Sequence, residues 1–285
     1  MRRTLSVGIS QFRVRESVSE NVKAAVDFVR EASASGADVL CLPELFAYRY
    51  FPQHRDVPQS VIEDYAQLFT PILEELRSAC RTYGICLVAG SLVEREGEKY
   101  YNTSVIIDER GRVEGKYRKT HIPGDECYHE DLYFSPGDSK LRPFLVREAK
   151  VGVLICFDQW FPEPARAYAL NGAEVIFYPT AIGWVSGVTQ TEGDWREAWE
   201  VVQRGHAIAN SVAVVAVNRT GEEGRIAFWG SSFIADQFGS VVARMGVDEE
   251  GVLVRRVDLN LGERIREGWR FFSCRRPELY GRVVT

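Results

Sequence analysis

Lys150-Val151-Gly152-Val153-Leu154-Ile155-Cys156-Phe157 is followed by Pro162-Glu163-Pro164-Ala165-Arg166-Ala167-Tyr168-Ala169-Leu170 and then by Glu174-Val175-Ile176-Phe177-Tyr178. The first stretch is an apolar run of strand length, and the second opens on a proline suited to a first helical turn. The third is again a short buried strand. Strand, helix and strand in succession predict an α/β fold. The chain keeps to this rhythm on both sides. Residues 5–12 read as a buried strand, and Ser17-Val18-Ser19-Glu20 is a capping box. Val18, Val22, Ala25, Val26 and Val29 then mark one helical face, closed by Gly36. Residues 38–42 form a strand running into Pro43-Glu44, and a helical stretch covers residues 60–81, with Thr70 and Pro71 marking a restart. Strands follow over residues 86–93 and 100–108.

Downstream, Asp194-Trp195-Arg196-Glu197 caps a helix that runs to residue 210, and residues 212–218 are a strand. Hairpin-like strands near residues 231–235, 240–244 and 252–257 argue against an all-parallel sheet. The expectation is one α/β domain, residues 1–285, layered on mixed sheets.

Composition narrows the function. The 285 residues carry a net charge of −5, with 45% hydrophobic and 26% charged residues. That balance argues against broad nucleic-acid binding, which needs concentrated lysine and arginine. Eighteen uninterrupted apolar residues occur nowhere, and the start lacks a signal-peptide pattern, so no membrane span and a cytoplasmic location are expected. The six cysteines form no CxxC pair, and the four histidines are scattered. Free thiols, no metal and no cofactor follow as expectations.

Three strand ends could carry chemistry. Cys41-Leu42-Pro43-Glu44 puts a carboxylate beyond a buried strand, and Tyr117-Arg118-Lys119-Thr120 puts a lysine at the mouth of a long aperiodic loop over residues 117–142. Val153-Leu154-Ile155-Cys156 ends on a thiol. In open α/β sheets, sites gather at such carboxyl edges. A carboxylate can take the thiol proton, and an ammonium can stabilise both a thiolate and an oxyanion. Acyl transfer then needs neither histidine nor metal. Each residue also has a plainer reading: a cysteine in an apolar strand usually packs, and terminal charges usually face solvent. Spacing alone does not choose.

Leu42-Pro43-Glu44, Tyr117-Arg118-Lys119-Thr120-His121-Ile122-Pro123 and Ile155-Cys156-Phe157-Asp158-Gln159-Trp160-Phe161-Pro162-Glu163 together resemble the nitrilase superfamily, in that family's order. Residues 172–184, 229–233 and 271–280 are similar to its carbamoyl-amine and ureido-acid branch. The resemblance covers nearly the whole chain. It implies a four-layer α-β-β-α sandwich with two mixed β-sheets and a Glu44–Lys119–Cys156 triad, with Glu130 as a second active-site glutamate. It implies a thioester route to cleaving an amide or N-carbamoyl amine, with ammonia leaving first. The Phe157 N–H would help hold the oxyanion, and Trp160, Tyr178, Ala181 and Trp184 would contact substrate. For the three aromatics among these residues, core packing is the competing reading.

A distal ammonium would need a carboxylate, for which Asp131, Glu192 and Asp194 are available. His121 and His206 read as structural, and Glu163 and Arg166 as a helical ion pair. The family also implies homodimers or larger homo-oligomers, with residues 261–285 as an interface tail. The aromatic, arginine-rich run at residues 269–280 suits that role.

Overall fold

In the computed structural model, which describes residues 3–283, period-two alternation along strand Val39–Cys41 sorts the core into layers. Val39 and Cys41 point inward and join Val151, Val153 and Phe177 of a second sheet. Leu40 and Leu42 point the other way, under Val22, Ala25 and Val29 of helix Val18–Ala34 and Ile72 and Leu76 of helix Phe69–Tyr83. Helices Pro162–Leu170 and Trp195–Asn210 cover the far side of the second sheet with Ala165, Tyr168, Trp199 and Ala207. Each fully buried Val or Leu stabilises this stack by roughly 1.5–3 kcal/mol. The architecture is the four-layer α-β-β-α sandwich.

Both sheets are mixed. In the first, Thr4–Gln11 and Cys86–Val88 lie parallel to Val39–Cys41, while Gly251–Asp258 and Lys99–Ile107 pair antiparallel on the outer sides of these two strands. Leu92–Glu96 and Val113–Arg118 flank Lys99–Ile107. The second sheet has a parallel centre of Ala149–Val153, Val175–Thr180 and Ala213–Asn218. Phe144–Val146 on one side, and Phe233–Ala235 followed by the edge strand Val241–Arg244 on the other, are added by antiparallel pairing. No helix among the described residues is long and apolar enough to cross a membrane.

Several local expectations need correction. The strand over residues 86–93 is two strands, Cys86–Val88 and Leu92–Glu96, separated at Gly90. Gly90 has φ +49, and a Cβ there would stand 2.1 Å from the Pro43 carbonyl oxygen, so the backbone turns where only glycine fits. The helical stretch over residues 60–81 breaks at Leu68, not at Thr70, and Pro71 lies inside the first turn of helix Phe69–Tyr83. A proline there sacrifices an N–H that has no intrahelical acceptor anyway. Glu163 and Arg166 do not pair: Arg166 donates to the Ala209 carbonyl at 2.9 Å and lies over the Phe272 ring. A three-stranded sheet of Gly183–Val185, Thr220–Glu223 and Ile226–Trp229 also escapes the sequence reading. So does helix Leu259–Trp269, capped by Asp258 and anchored through buried Leu259 and Ile265.

Candidate active site

Cys156 sits where a strand is forced to stop. After Ala149–Val153, the Leu154 N–H still bonds to Phe177, but Cys156 adopts φ +41 and opens a tight 3-10 turn, Cys156–Trp160. Left-handed backbone at a non-glycine residue costs of order 1–3 kcal/mol and persists only where neighbours enforce it. Asp158 is that neighbour. Fully buried, it accepts hydrogen bonds from the Ile155 N–H at 2.8 Å, the Tyr117 hydroxyl at 2.8 Å and the His121 N–H at 3.0 Å. The His121 ring meets the same carboxylate at 2.7 Å and stacks on Phe161, the structural role its sequence context suggests. The strained turn aims the Cys156 Sγ at the Ala181 carbonyl oxygen, 3.8 Å away. It also leaves the Phe157 N–H without an acceptor among the described residues.

The other sheet supplies the charges. Beyond Val39–Cys41 the chain crosses toward the second sheet, where the Glu44 N–H bonds to the Thr180 carbonyl at 3.3 Å. Lys119 follows directly on strand Val113–Arg118, and Glu130 opens a short turn in the long loop. The Lys119 Nζ donates to Glu44 at 2.8 Å and to the two oxygens of Glu130 at 2.7 and 2.8 Å. Asn102 donates to both carboxylates, at 2.8 Å to Glu44 and 3.3 Å to Glu130, and the Tyr50 hydroxyl donates to Glu130 at 2.8 Å. Glu44, Lys119 and Glu130 are essentially inaccessible to solvent.

Two carboxylates against one ammonium leave one excess negative charge beside the thiol. Burial pushes the Glu44 carboxyl up to about 7, with Lys119 opposing the rise and Glu130 adding to it. Burial works against the Lys119 ammonium, yet Glu130 and Glu44 outweigh it and hold its pKa above the usual lysine value. Burial raises the Cys156 thiol well above the ordinary range; Glu44 reinforces the rise and Lys119 counters it. A neutral thiol therefore faces a carboxylate poised near neutrality, which suits general-base activation better than a standing thiolate. The Glu44 Oε2 accepts from none of the cluster's nitrogen donors and is open to the Cys156 thiol, whose hydrogen bonding draws the Glu44 carboxyl down.

A cavity of about 480 Å³ opens onto Cys156. Its apolar wall includes Phe157, Trp160, Tyr128 and Trp195, and its acidic side is Asp125, Glu126 and Glu192. Phe157 and Trp160 line the cavity, and Ala181 faces the Cys156 Sγ through its carbonyl. Tyr178 and Trp184 do not line the cavity. Alternation along Val175–Thr180 turns Tyr178 to the helix face, where it stacks on His206. His206 is itself packed, meeting the Gln159 carbonyl at 2.7 Å. Trp184 packs on Trp229, with the Arg196 guanidinium over its ring. Of the three candidate ammonium partners, Glu192 borders the cavity, Asp194 caps helix Trp195–Asn210, and Asp131 is absent from the lining.

Sequence reasoning missed Asn102, Tyr50, Tyr128 and Trp195. One signal was present: Asn102-Thr103-Ser104 is a polar run inside an otherwise apolar strand, and buried polar side chains require partners. Tyr50 offered none, because it lies in an irregular loop.

Comparison with known proteins agrees with this geometry. The family model described as carbon-nitrogen hydrolase matches residues 6–267. An N-carbamoylputrescine amidase of Solanum tuberosum is 41% identical, with 99% of this chain and 96% of that protein covered. A citrullinase of Francisella tularensis is 36% identical, with 98% of each covered. The crystal structure of a carbon-nitrogen hydrolase from Helicobacter pylori superposes with a TM-score of 0.93 at 32% identity, over 99% of both chains. The family match over most of the chain, relatives this similar along its length and the shared sandwich show that the protein belongs to the carbon-nitrogen hydrolase family of the nitrilase superfamily and is an amidohydrolase.

Proposed function

We propose that the chain hydrolyses an N-carbamoyl amine with a distal positive charge, of the N-carbamoylputrescine type, using Cys156 as nucleophile, Glu44 as general base and Lys119 as oxyanion partner. The observation carrying the substrate half is the cavity lining, which among the described residues holds three carboxylates and neither lysine nor arginine. A substrate carboxylate would find no cation among these lining residues, the nearby Arg225 being paired with Glu126. A substrate ammonium would find Asp125 or Glu192 near the Trp160 and Trp195 rings, whose faces also attract cations. Glu126 is already engaged by Arg225.

In the proposed reaction Glu44 takes the Cys156 proton as sulfur attacks the ureido carbonyl. One Nζ–H of Lys119, shared with Glu130 at rest, turns to the oxyanion alongside the Phe157 N–H. Collapse expels the terminal nitrogen, which receives the proton from Glu44 and leaves as ammonia. Glu44 then deprotonates water, which attacks the carbamoyl thioester and frees the thiol. The resulting carbamate decomposes to amine and carbon dioxide. Glu130 keeps Lys119 oriented throughout.

Ammonia release from N-carbamoylputrescine, N-carbamoyl-β-alanine, an N-carbamoyl-D-amino acid and an aliphatic amide tests both halves. Preference for the first is expected. Preference for either acid would overturn the substrate reading, and turnover by Cys156→Ala would overturn the mechanism.

The same reading makes residues 1–285 a single carbon–nitrogen hydrolase domain in a cytoplasmic homodimer or larger homo-oligomer. Residues 284 and 285 of its interface tail, residues 261–285, lie outside the described residues. The tail begins within helix Leu259–Trp269, and exposed Trp269, Leu279 and Tyr280 support an interface role.

A further inference from the structure

We propose that Arg219 and Glu223 are positioning residues that set the two active-site glutamates from the side opposite the thiol. The inference rests on the roles proposed for Glu44 and Glu130. Between Pro43 and Tyr50 the chain has no regular structure, and Leu45 is held at φ +45. The Glu44 side chain enters the site, while the backbone carbonyls behind it need other partners. Arg219, fully buried, provides them: its guanidinium donates to Glu44 O at 2.7 Å, Leu45 O at 2.8 Å and Tyr48 O at 3.2 Å. A planar fork can serve several acceptors at once in a fixed geometry, which a single ammonium cannot reproduce.

The buried guanidinium is balanced by Glu223, which accepts from it at 2.9 Å and is itself buried. The second oxygen of Glu223 accepts the Tyr50 N–H at 2.6 Å, and the Tyr50 hydroxyl reaches Glu130 at 2.8 Å. One ion pair therefore braces Glu44 through its own peptide and Glu130 through Tyr50. Neither member of the pair lines the cavity. The neighbouring Asn218 fixes the opposite wall, bonding Ile182 through both its N–H, at 3.1 Å, and its carbonyl, at 2.9 Å. Ile182 directly follows the carbonyl that faces the Cys156 Sγ. The end of strand Ala213–Asn218 thus holds both sides of the reacting centre.

The test is steady-state kinetics on N-carbamoylputrescine for R219Q, R219K and E223Q, with E44Q as reference and circular dichroism as a folding check. Misplacing a reacting group by about 1 Å can cost about 100-fold in rate, so R219Q should lose roughly 30- to 100-fold in kcat with KM within about threefold. R219K should recover part of that loss, and E223Q should fall about five- to tenfold. A lesion of packing alone would lower the melting temperature without this split between kcat and KM. Folded R219Q with unchanged kcat, beside an inactive E44Q, would overturn the positioning role and leave the proposed function standing. An active E44Q would instead remove the reading on which the inference rests. Should R219Q fail to fold, E223Q decides by the same criterion: folded with unchanged kcat, it overturns the proposal.

Discussion

Lys119 is bound to Glu130 through both carboxylate oxygens, at 2.7 and 2.8 Å, whereas its bond to Glu44 uses only one oxygen of that carboxylate. The asymmetry separates two chemically similar groups. Glu130 is spent on orienting the ammonium, and Glu44 keeps an oxygen for proton transfer.

Replacing Glu130 by Gln removes a negative charge that helps raise Glu44. The Glu44 pKa should then fall from about 7, and the acid limb of kcat/KM should move to lower pH. In the native enzyme the base form is lost as pH drops through that value, so activity should decline on the acid side. A pH–rate profile of Glu130→Gln reads the shift directly. A limb that moved upward would contradict the charge balance described.

Lys119→Ala leaves two carboxylates facing each other in a site closed to solvent. Breaking a buried ion pair from one side typically costs about 3–5 kcal/mol, so urea unfolding should show a loss of that order. Turnover should fall by at least about 100-fold, the usual effect of losing one oxyanion donor. Near-native activity would rule out Lys119 as that donor.

Gly152 faces the Tyr168 ring, and a Cβ at that position would stand 2.8 Å from it. Because Tyr168 belongs to helix Pro162–Leu170, which packs on the strand carrying Gly152, Gly152→Ala must displace a packed aromatic ring. Overpacking of this kind costs about 1–3 kcal/mol, measurable as a lower melting temperature. An unchanged melting temperature would mean the helix shifts freely.

Asp125→Asn and Glu192→Gln test the acidic side of the cavity. Each should raise KM for N-carbamoylputrescine by about three- to fivefold, the effect of up to about 1 kcal/mol for a partly exposed charge pair. KM for the neutral analogue N-carbamoylbutylamine should stay constant. Equal changes for both substrates would show that neither carboxylate reads the ammonium.

The layers were legible because their signals are local. The capping box at Ser17 and the Asp194 cap appear in the structure as the N-caps of helices Val18–Ala34 and Trp195–Asn210. The break at Gly90 was not legible, since its cause is the Pro43 carbonyl, distant in sequence. Glu44, Lys119 and Cys156 stood out as reactive types at strand ends, but only the fold brings Lys119 and Glu44 to 2.8 Å. Tyr178 misled because its strand is buried on both faces, so the residue types give no clue which face meets the cavity. Tyr50 was invisible, as its role depends on an irregular loop braced by Glu223.

The bond from the Glu44 N–H to the Thr180 carbonyl crosses between sheets, and Cys156 comes from one sheet while Glu44 and Lys119 come from the other. A half-formed molecule therefore has no reactive centre: its sulfur lacks a base until the two halves close on one another. During refolding, ammonia release should be the last property to return, after helical signal and tryptophan burial. Catalytic competence in this protein doubles as a report that the seam has shut.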